Sequence, residues 1–148
     1  MSMACFFIGH RSADLSLMPQ LESAVKNHIC GYGVTDFIVG QYGAFDRMAA
    51  RAVINAKKIF PEVSLSILLP YHPCEREVCA PEGYDSTFYP PGMENVPRRF
   101  AIVRANQYMI KHCDYLIAYA WQPASNSRKL LELARRQPNI TITELVRT

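Results

Sequence analysis

Apolar side chains run along this chain in two alternating rhythms. Met3 to Ile8 is a short continuous apolar run that ends at Gly9-His10-Arg11, which predicts a strand buried on both faces. Leu17, Leu21, Ala24, Val25, His28 and Ile29 then recur at helical spacing, until Gly31 and Gly33 stop the helix. Asp36 to Val39 predicts a second strand, closed by Gly40, and Phe45, Met48, Ala49, Ala52, Val53, Ala56 and Ile59 carry a long helical stripe that ends before Pro61. Val63 to Leu69 predicts a third strand, stopped by Pro70. Arg98 to Cys113 is again helical in pattern, Asp114 to Tyr119 reads as a fourth strand, Ser127 to Arg136 as a helix, and Asn139 to Thr143 as a fifth strand.

Between the third strand and the third helix the rhythm lapses. Tyr71 to Pro97 carries Pro73, Pro81, Pro90, Pro91 and Pro97 with little apolar periodicity, which predicts a long functional or mobile loop. Tyr84, Phe88 and Tyr89 in it suit a lid that stacks on a ligand, or rings that pack the loop onto the body. Strands alternating with helices predict an α/β fold: a single Rossmann-like three-layer domain over residues 1–148, with a parallel sheet of about five strands and helices on both faces. Right-handed crossovers put the strand-to-helix loops on one edge, where open α/β sheets bind ligands.

Composition narrows the function classes. Of 148 residues, 49% are hydrophobic and 20% charged, the profile of a chain with a substantial core. A net charge of +3 suits an anionic small molecule but is too weak for a duplex nucleic-acid surface. No apolar stretch approaches the ~18 residues of a membrane helix, and the opening segment lacks the basic-then-apolar form of a secretory leader. The cysteines, Cys5, Cys30, Cys74, Cys79 and Cys113, are odd in number and scattered, which predicts reduced thiols in the cytoplasm. His72, Cys74 and Cys79 invite a zinc reading with Cys30 or Cys113, but their spacing contains no CxxC pair, and no metal or other cofactor is expected.

Three loops are expected to meet at the ligand edge. Gly9-His10-Arg11-Ser12 offers a close backbone approach and a bidentate arginine, or a plain strand-end turn. Gly40-Gln41-Tyr42-Gly43-Ala44-Phe45-Asp46 can turn backbone amides toward an anion. It lacks the third glycine of a dinucleotide fingerprint and the Lys-Ser/Thr of a P-loop. Asp46 there suits either the helix dipole or a hydrogen bond to a ribose or base. Trp121 to Ser127 brings Ser125, Asn126 and Ser127, which can cap the next helix or bind phosphate, with the cap the better fit. Arg98, Arg99 and Arg104 cluster where cations oppose the helix dipole, so an anionic partner or plain solvation would explain them. Glu132, one turn into the last helix, is a general acid/base candidate or a surface carboxylate.

These motifs, in this order, resemble a known family. Phe7-Ile8-Gly9-His10-Arg11 looks like the opening "TGHR" motif of the YpsA-like branch of the SLOG superfamily, and Phe37 to Asp46 is similar to that branch's glycine loop ending in Phe-Asp. Val63 to Pro70 resembles its third strand. Asn106 to Ile110, with Cys113 to Ala118, resembles its "RN-x-x-M … SD-x-x-I" segment. The resemblance implies a Rossmann-like fold and a pocket for a nucleotide or nucleotide-derived ligand. Relatives include LOG-type phosphoribohydrolases, single-stranded DNA binders and sensors. The chain departs from the family at Pro123-Ala124-Ser125-Asn126-Ser127, where the hydrolases have "PGGxGT", and at Ala105, where an arginine is expected before Asn106.

The leading expectation is a nucleotide-binding sensor or regulatory module. Amides of Gly40–Gly43 and the Ser125–Ser127 loop would hold phosphate, and Arg11 with Arg98 or Arg104 would balance its charge. Asp46 would meet ribose, and Tyr42 or Trp121 would stack on the base. The alternatives are a nucleotide N-glycosidic hydrolase using Asp46 and Glu132, and an interaction protein, as a homodimer through its helical faces. Binding of single-stranded DNA is disfavoured by the sparse basic residues.

Overall fold

The computed structural model describes residues 3–72 and 81–147. Six strands form one all-parallel sheet: β1 (Ala4–Gly9), β2 (Asp36–Val39), β3 (Ser64–Leu68), β4 (Ser86–Phe88), β5 (Tyr115–Tyr119) and β6 (Thr141–Glu144). Four helices connect them: α1 (Met18–Tyr32), α2 (Ala44–Lys57), α3 (Ala101–His112) and α4 (Asn126–Arg135). The strand order is β4-β3-β2-β1-β5-β6, so the order reverses at β1. This is the expected Rossmann-like α/β fold with one strand more than predicted.

The sixth strand is β4, inside the segment read as a loop. It is only three residues long and mostly exposed, so it leaves no apolar rhythm to read. Tertiary contacts define it instead. The Lys57 ammonium, at the end of α2, donates to the Gly83 carbonyl at 2.9 Å and pairs with Asp85 at 2.6 Å. The same Asp85 carboxylate accepts from the Leu65 amide at 2.8 Å, which sets the register of β4 against β3. Tyr84 packs on one core, and Phe88 and Tyr89 on the other, so these rings fasten residues 84–89 to the body.

Side-chain alternation builds two cores. Cys5 and Phe7, Phe37 and Val39, and Ile117 and Tyr119 point to the face covered by α1 and α2. Phe6, Ile8, Ile38, Leu116 and Ala118 point to the face covered by α3 and α4. A strand buried on both faces has to be apolar throughout, which is why the central strands read as unbroken runs. Helix α1 continues through Gly31 and ends at Gly33, which takes the left-handed conformation (φ 70°) of a C-terminal cap. No helix among the described residues is long and apolar enough to cross a membrane.

His28 sits in the α1 core position that its spacing predicts. It is 1% exposed, its Nδ1 donates to the Ala24 carbonyl at 2.7 Å, and Tyr32 and Tyr115 meet its ring edge-on. Burial lowers its pKa, as it does for His10, and the Ala24 contact only partly opposes this. A histidine whose folded pKa is depressed stabilises the protein above its unfolded pKa, and that stability is lost as pH falls below about 6.5. The melting temperature is therefore expected to drop between pH 7 and 5, and to drop less in His28→Gln. An equal drop in the variant would remove His28 from the effect.

Candidate functional site

The ends of β1, β2 and β5 deliver three loops to one edge, and glycines let them interlock. A Cβ on Gly9 would stand only 2.2 Å from the Phe45 ring, which stacks on Tyr119 at 6.2 Å between centroids. A Cβ on Gly40 would stand 2.9 Å from the Asp46 carboxylate. Gly43 has φ 142°, and a Cβ there would lie 2.7 Å from the Arg11 Cα. The first turn of α2 thus packs directly onto the β1 and β2 termini. The Ala44 amide completes the join by donating to the Arg11 carbonyl at 3.0 Å.

These contacts use some of the amides expected to hold phosphate. The Tyr42 amide donates to the Asp46 carboxylate at 3.0 Å, so the β2 loop already closes around an anion of its own. Burial pushes the Asp46 carboxyl up. The Tyr42 amide and the Arg11 and Arg47 charges pull it partly back down. A carboxyl with a raised folded pKa costs stability at neutral pH, and the cost disappears as pH falls through the folded value toward the unfolded 3.8. Asp46→Asn, which keeps an oxygen acceptor for Tyr42, is expected to melt higher than wild type at pH 7. The gain should shrink toward pH 4, which thermal melts across that range would read. A lower melting temperature at pH 7 would mean that the charge itself holds the loop.

The α4 end is different. The Ser125 side chain caps the helix, accepting from the Arg128 amide at 3.1 Å and donating to the Gln122 carbonyl at 2.9 Å. Arg128 fastens the loop further by donating to the Ala120 carbonyl at 3.1 Å. The amides of Asn126 and Ser127, the first two of α4, have no preceding helical turn to bond. They lie at the positive end of the helix, with Lys129 beside them on the cleft wall.

The three loops enclose a cleft of about 550 Å³ on the α3/α4 side of β1. From the expected set it brings together Gly9, His10, Arg11, Gly40, Tyr42, Asp46, Asn106, Ser125, Asn126 and Ser127. Gln41 and Gly43 belong to the same loop but do not line the cleft. Arg98, whose guanidinium lies 5.2 Å from the centre of the Tyr71 ring, and Arg104, exposed on α3, are outside it as well. Glu132 points to solvent and pairs with Arg128 at 3.7 Å, so it does not join Asp46. Trp121 lies on the other side of His10.

His10 is the pivot of the edge. It is 6% exposed, wedged edge-on between Tyr119 and Trp121, and its Nε2 accepts from the Gln122 amide at 3.3 Å. With Nε2 accepting and burial lowering the pKa, the ring is neutral and carries its proton on Nδ1. An apolar wall was not expected: Ile102, Val103, Leu130 and Leu133 of α3 and α4 line the cleft opposite the polar loops. Their helical spacing reads equally well as core, so only the packing of the two helices reveals a face left open.

Of the residues considered for zinc, Cys74 and Cys79 lie outside the described residues; Cys30 is exposed on α1 and Cys113 is buried. Among the described residues no group of three or more His, Cys, Asp or Glu could hold a metal. Burial pushes the Cys113 thiol up to about 12, and Cys5 is raised as well. Among these three, Cys30 is the thiol expected to react with an alkylating reagent in the native protein, while Cys5 and Cys113 should react only on unfolding. Mass spectrometry of the labelled peptides would show it.

No family model and no curated protein matches this chain. Among solved structures it is similar to the Moco carrier protein of Chlamydomonas rheinhardtii, with a TM-score of 0.53, 11% sequence identity, and coverage of 96% of this chain and 76% of that one. At that identity the likeness establishes a shared Rossmann-like α/β fold.

Proposed function

We propose that the chain binds a nucleotide or nucleotide-derived ligand in the cleft beside β1, as a sensor or regulatory module, and that it belongs with the YpsA-like branch of the SLOG superfamily. The observation that carries this reading is the polarity of the cleft. Its lining combines the first two amides of α4 with Lys129, the half-buried Asp46 carboxylate, and an apolar wall. Phosphate suits the first, a ribose hydroxyl or base N–H the second, and a flat ring the wall.

The phosphate position differs from the sequence expectation in one respect. The β2 loop already surrounds Asp46, so the phosphate is assigned to α4 alone. A thermal-shift screen of nucleoside monophosphates and nucleotide conjugates tests the reading. A ligand at 100 times its Kd adds about 2.7 kcal/mol, or roughly 5–11 °C in a domain of this size. No shift with any phosphate-bearing compound would count against it.

Hydrolysis of a nucleotide N-glycosidic bond has one observation in its favour, the Asp46 carboxyl raised by burial within the cleft. Asp46 would then act without Glu132. Release of free base that is lost in Asp46→Ala would establish this activity; binding without base release would leave the sensor reading.

A further inference from the structure

A second, smaller cleft of about 260 Å³ lies across His10 from the first. Its walls are Ser12, Asp14, Ser16, Trp121 and Arg147, with Ala13, Leu17 and Tyr119 toward the α1 side. The two clefts share His10, Ser12 and Gln122. They flank the C-terminal end of β1, the strand at which the sheet order reverses. In open α/β sheets, ligands with two parts lie across this crevice.

We infer that the ligand has two arms and straddles β1 at His10: its nucleotide part fills the larger cleft, and a hydroxyl-bearing arm joined through its phosphates reaches the smaller one. The inference rests on the nucleotide reading and extends it to the class of nucleoside diphosphates carrying a sugar. The size of the clefts fits this division, since the smaller has about half the volume of the larger and suits a single sugar-sized group. So does its chemistry. The Arg147 guanidinium lies 3.9 Å from the centre of the Trp121 ring, a cation–π contact that holds the charge at this cleft, where its N–H groups can meet an acceptor. Among the described residues no carboxylate pairs with it. Asp14, held by Ser16 at 2.7 Å, supplies an acceptor for hydroxyls on the same wall.

His10 is suited to the junction. Its Nε2 is taken by the Gln122 amide, which leaves an Nδ1 proton on a ring that borders both clefts. A diphosphate bridge crossing β1 would pass this donor.

Calorimetric titration of matched pairs tests the inference: AMP with ADP-ribose, UMP with UDP-glucose, GMP with GDP-mannose, each against wild type and Arg147→Ala. For the base that binds, the sugar-bearing partner is expected to bind at least tenfold more tightly than the monophosphate. Arg147→Ala should remove most of that gain while monophosphate affinity stays within about twofold, because Arg147 does not border the larger cleft. If a monophosphate binds and its sugar-bearing partner binds no tighter, the two-armed ligand is overturned and the nucleotide reading stands. A gain that survives Arg147→Ala also overturns the assignment of the arm to this cleft. Absence of binding by every pair overturns both.

Discussion

Replacing Gly9 with alanine is expected to destabilise the protein by about 3 kcal/mol, because the added methyl group would stand 2.2 Å from the Phe45 ring in a close-packed core. The melting temperature should fall by roughly 6–12 °C. Phe45 cannot move aside easily: it is fully buried, stacked on Tyr119 and tilted against Phe7. Gly9 itself continues the β1 ladder, paired with Tyr119 of β5, so the backbone is fixed as well. A double-mutant cycle isolates the cause. Phe45→Ala alone should cost about 3–5 kcal/mol, but with the ring gone, the further change Gly9→Ala should cost less than about 1 kcal/mol. Additive costs would show that the glycine answers to something other than Phe45, such as a conformation or a neighbouring chain segment.

Asn126→Pro is expected to weaken phosphate-bearing ligands tenfold to about a hundredfold while leaving the fold intact. Asn126 is the first residue of α4, where proline is tolerated because no helical carbonyl awaits its N–H. The preceding Ser125 is already extended, at φ −78° and ψ 157°, the conformation that a following proline demands. The substitution therefore removes the backbone N–H and the carboxamide of a cleft-lining residue while sparing the helix. A hydrogen bond to a charged group is worth about 1.5–3 kcal/mol, which sets the expected loss. Asn126→Ala, which keeps the amide, separates the backbone from the side chain and should bind within a few-fold of wild type. If the proline variant melts like wild type and binds equally well, the phosphate does not sit at α4.

The two substitutions act on opposite sides of one design. The glycines of the β1 and β2 loops let chain segments meet, and the start of α4 is left open. Sequence motifs read as ligand loops are therefore of two kinds. Gly9, Gly40 and Gly43 each accommodate a specific neighbour, Phe45, Asp46 and Arg11 respectively, so packing already explains why they are glycines. Asp114 of the motif near β5 is similar: it accepts from the Ala4 amide at 2.9 Å, while its own carbonyl accepts from Thr141, at the edge of the sheet away from the cleft. Ser125 is a cap, as its position before a helix suggests. The arginines show the reverse problem. A position in or just before a helix leaves the direction of the side chain open, and neither Arg98 nor Arg104 lines the cleft that its charge was expected to serve.

Residue order alone specifies most of the sheet and its layers. Apolar runs at β1, β2 and β5, the alternating Ser-Leu-Ser-Ile-Leu of β3, and helical stripes between them follow from burial on two faces or on one, and that requirement is written locally in residue order. The helix stop at Gly33 and the Ser125 cap are likewise local, because each depends on its own backbone. The remaining features arise from contacts that form only on folding. Strand β4 exists through Lys57, Asp85 and Leu65, which are remote in sequence and meet by folding. The apolar wall of the cleft exists because α3 and α4 leave Ile102, Leu130 and Leu133 partly uncovered, and His10 joins two clefts because β1 lies where the strand order turns back. Hydrophobic periodicity says which face of an element is apolar. Which part of that face stays open depends on how neighbouring elements pack, and that is a property of the whole chain.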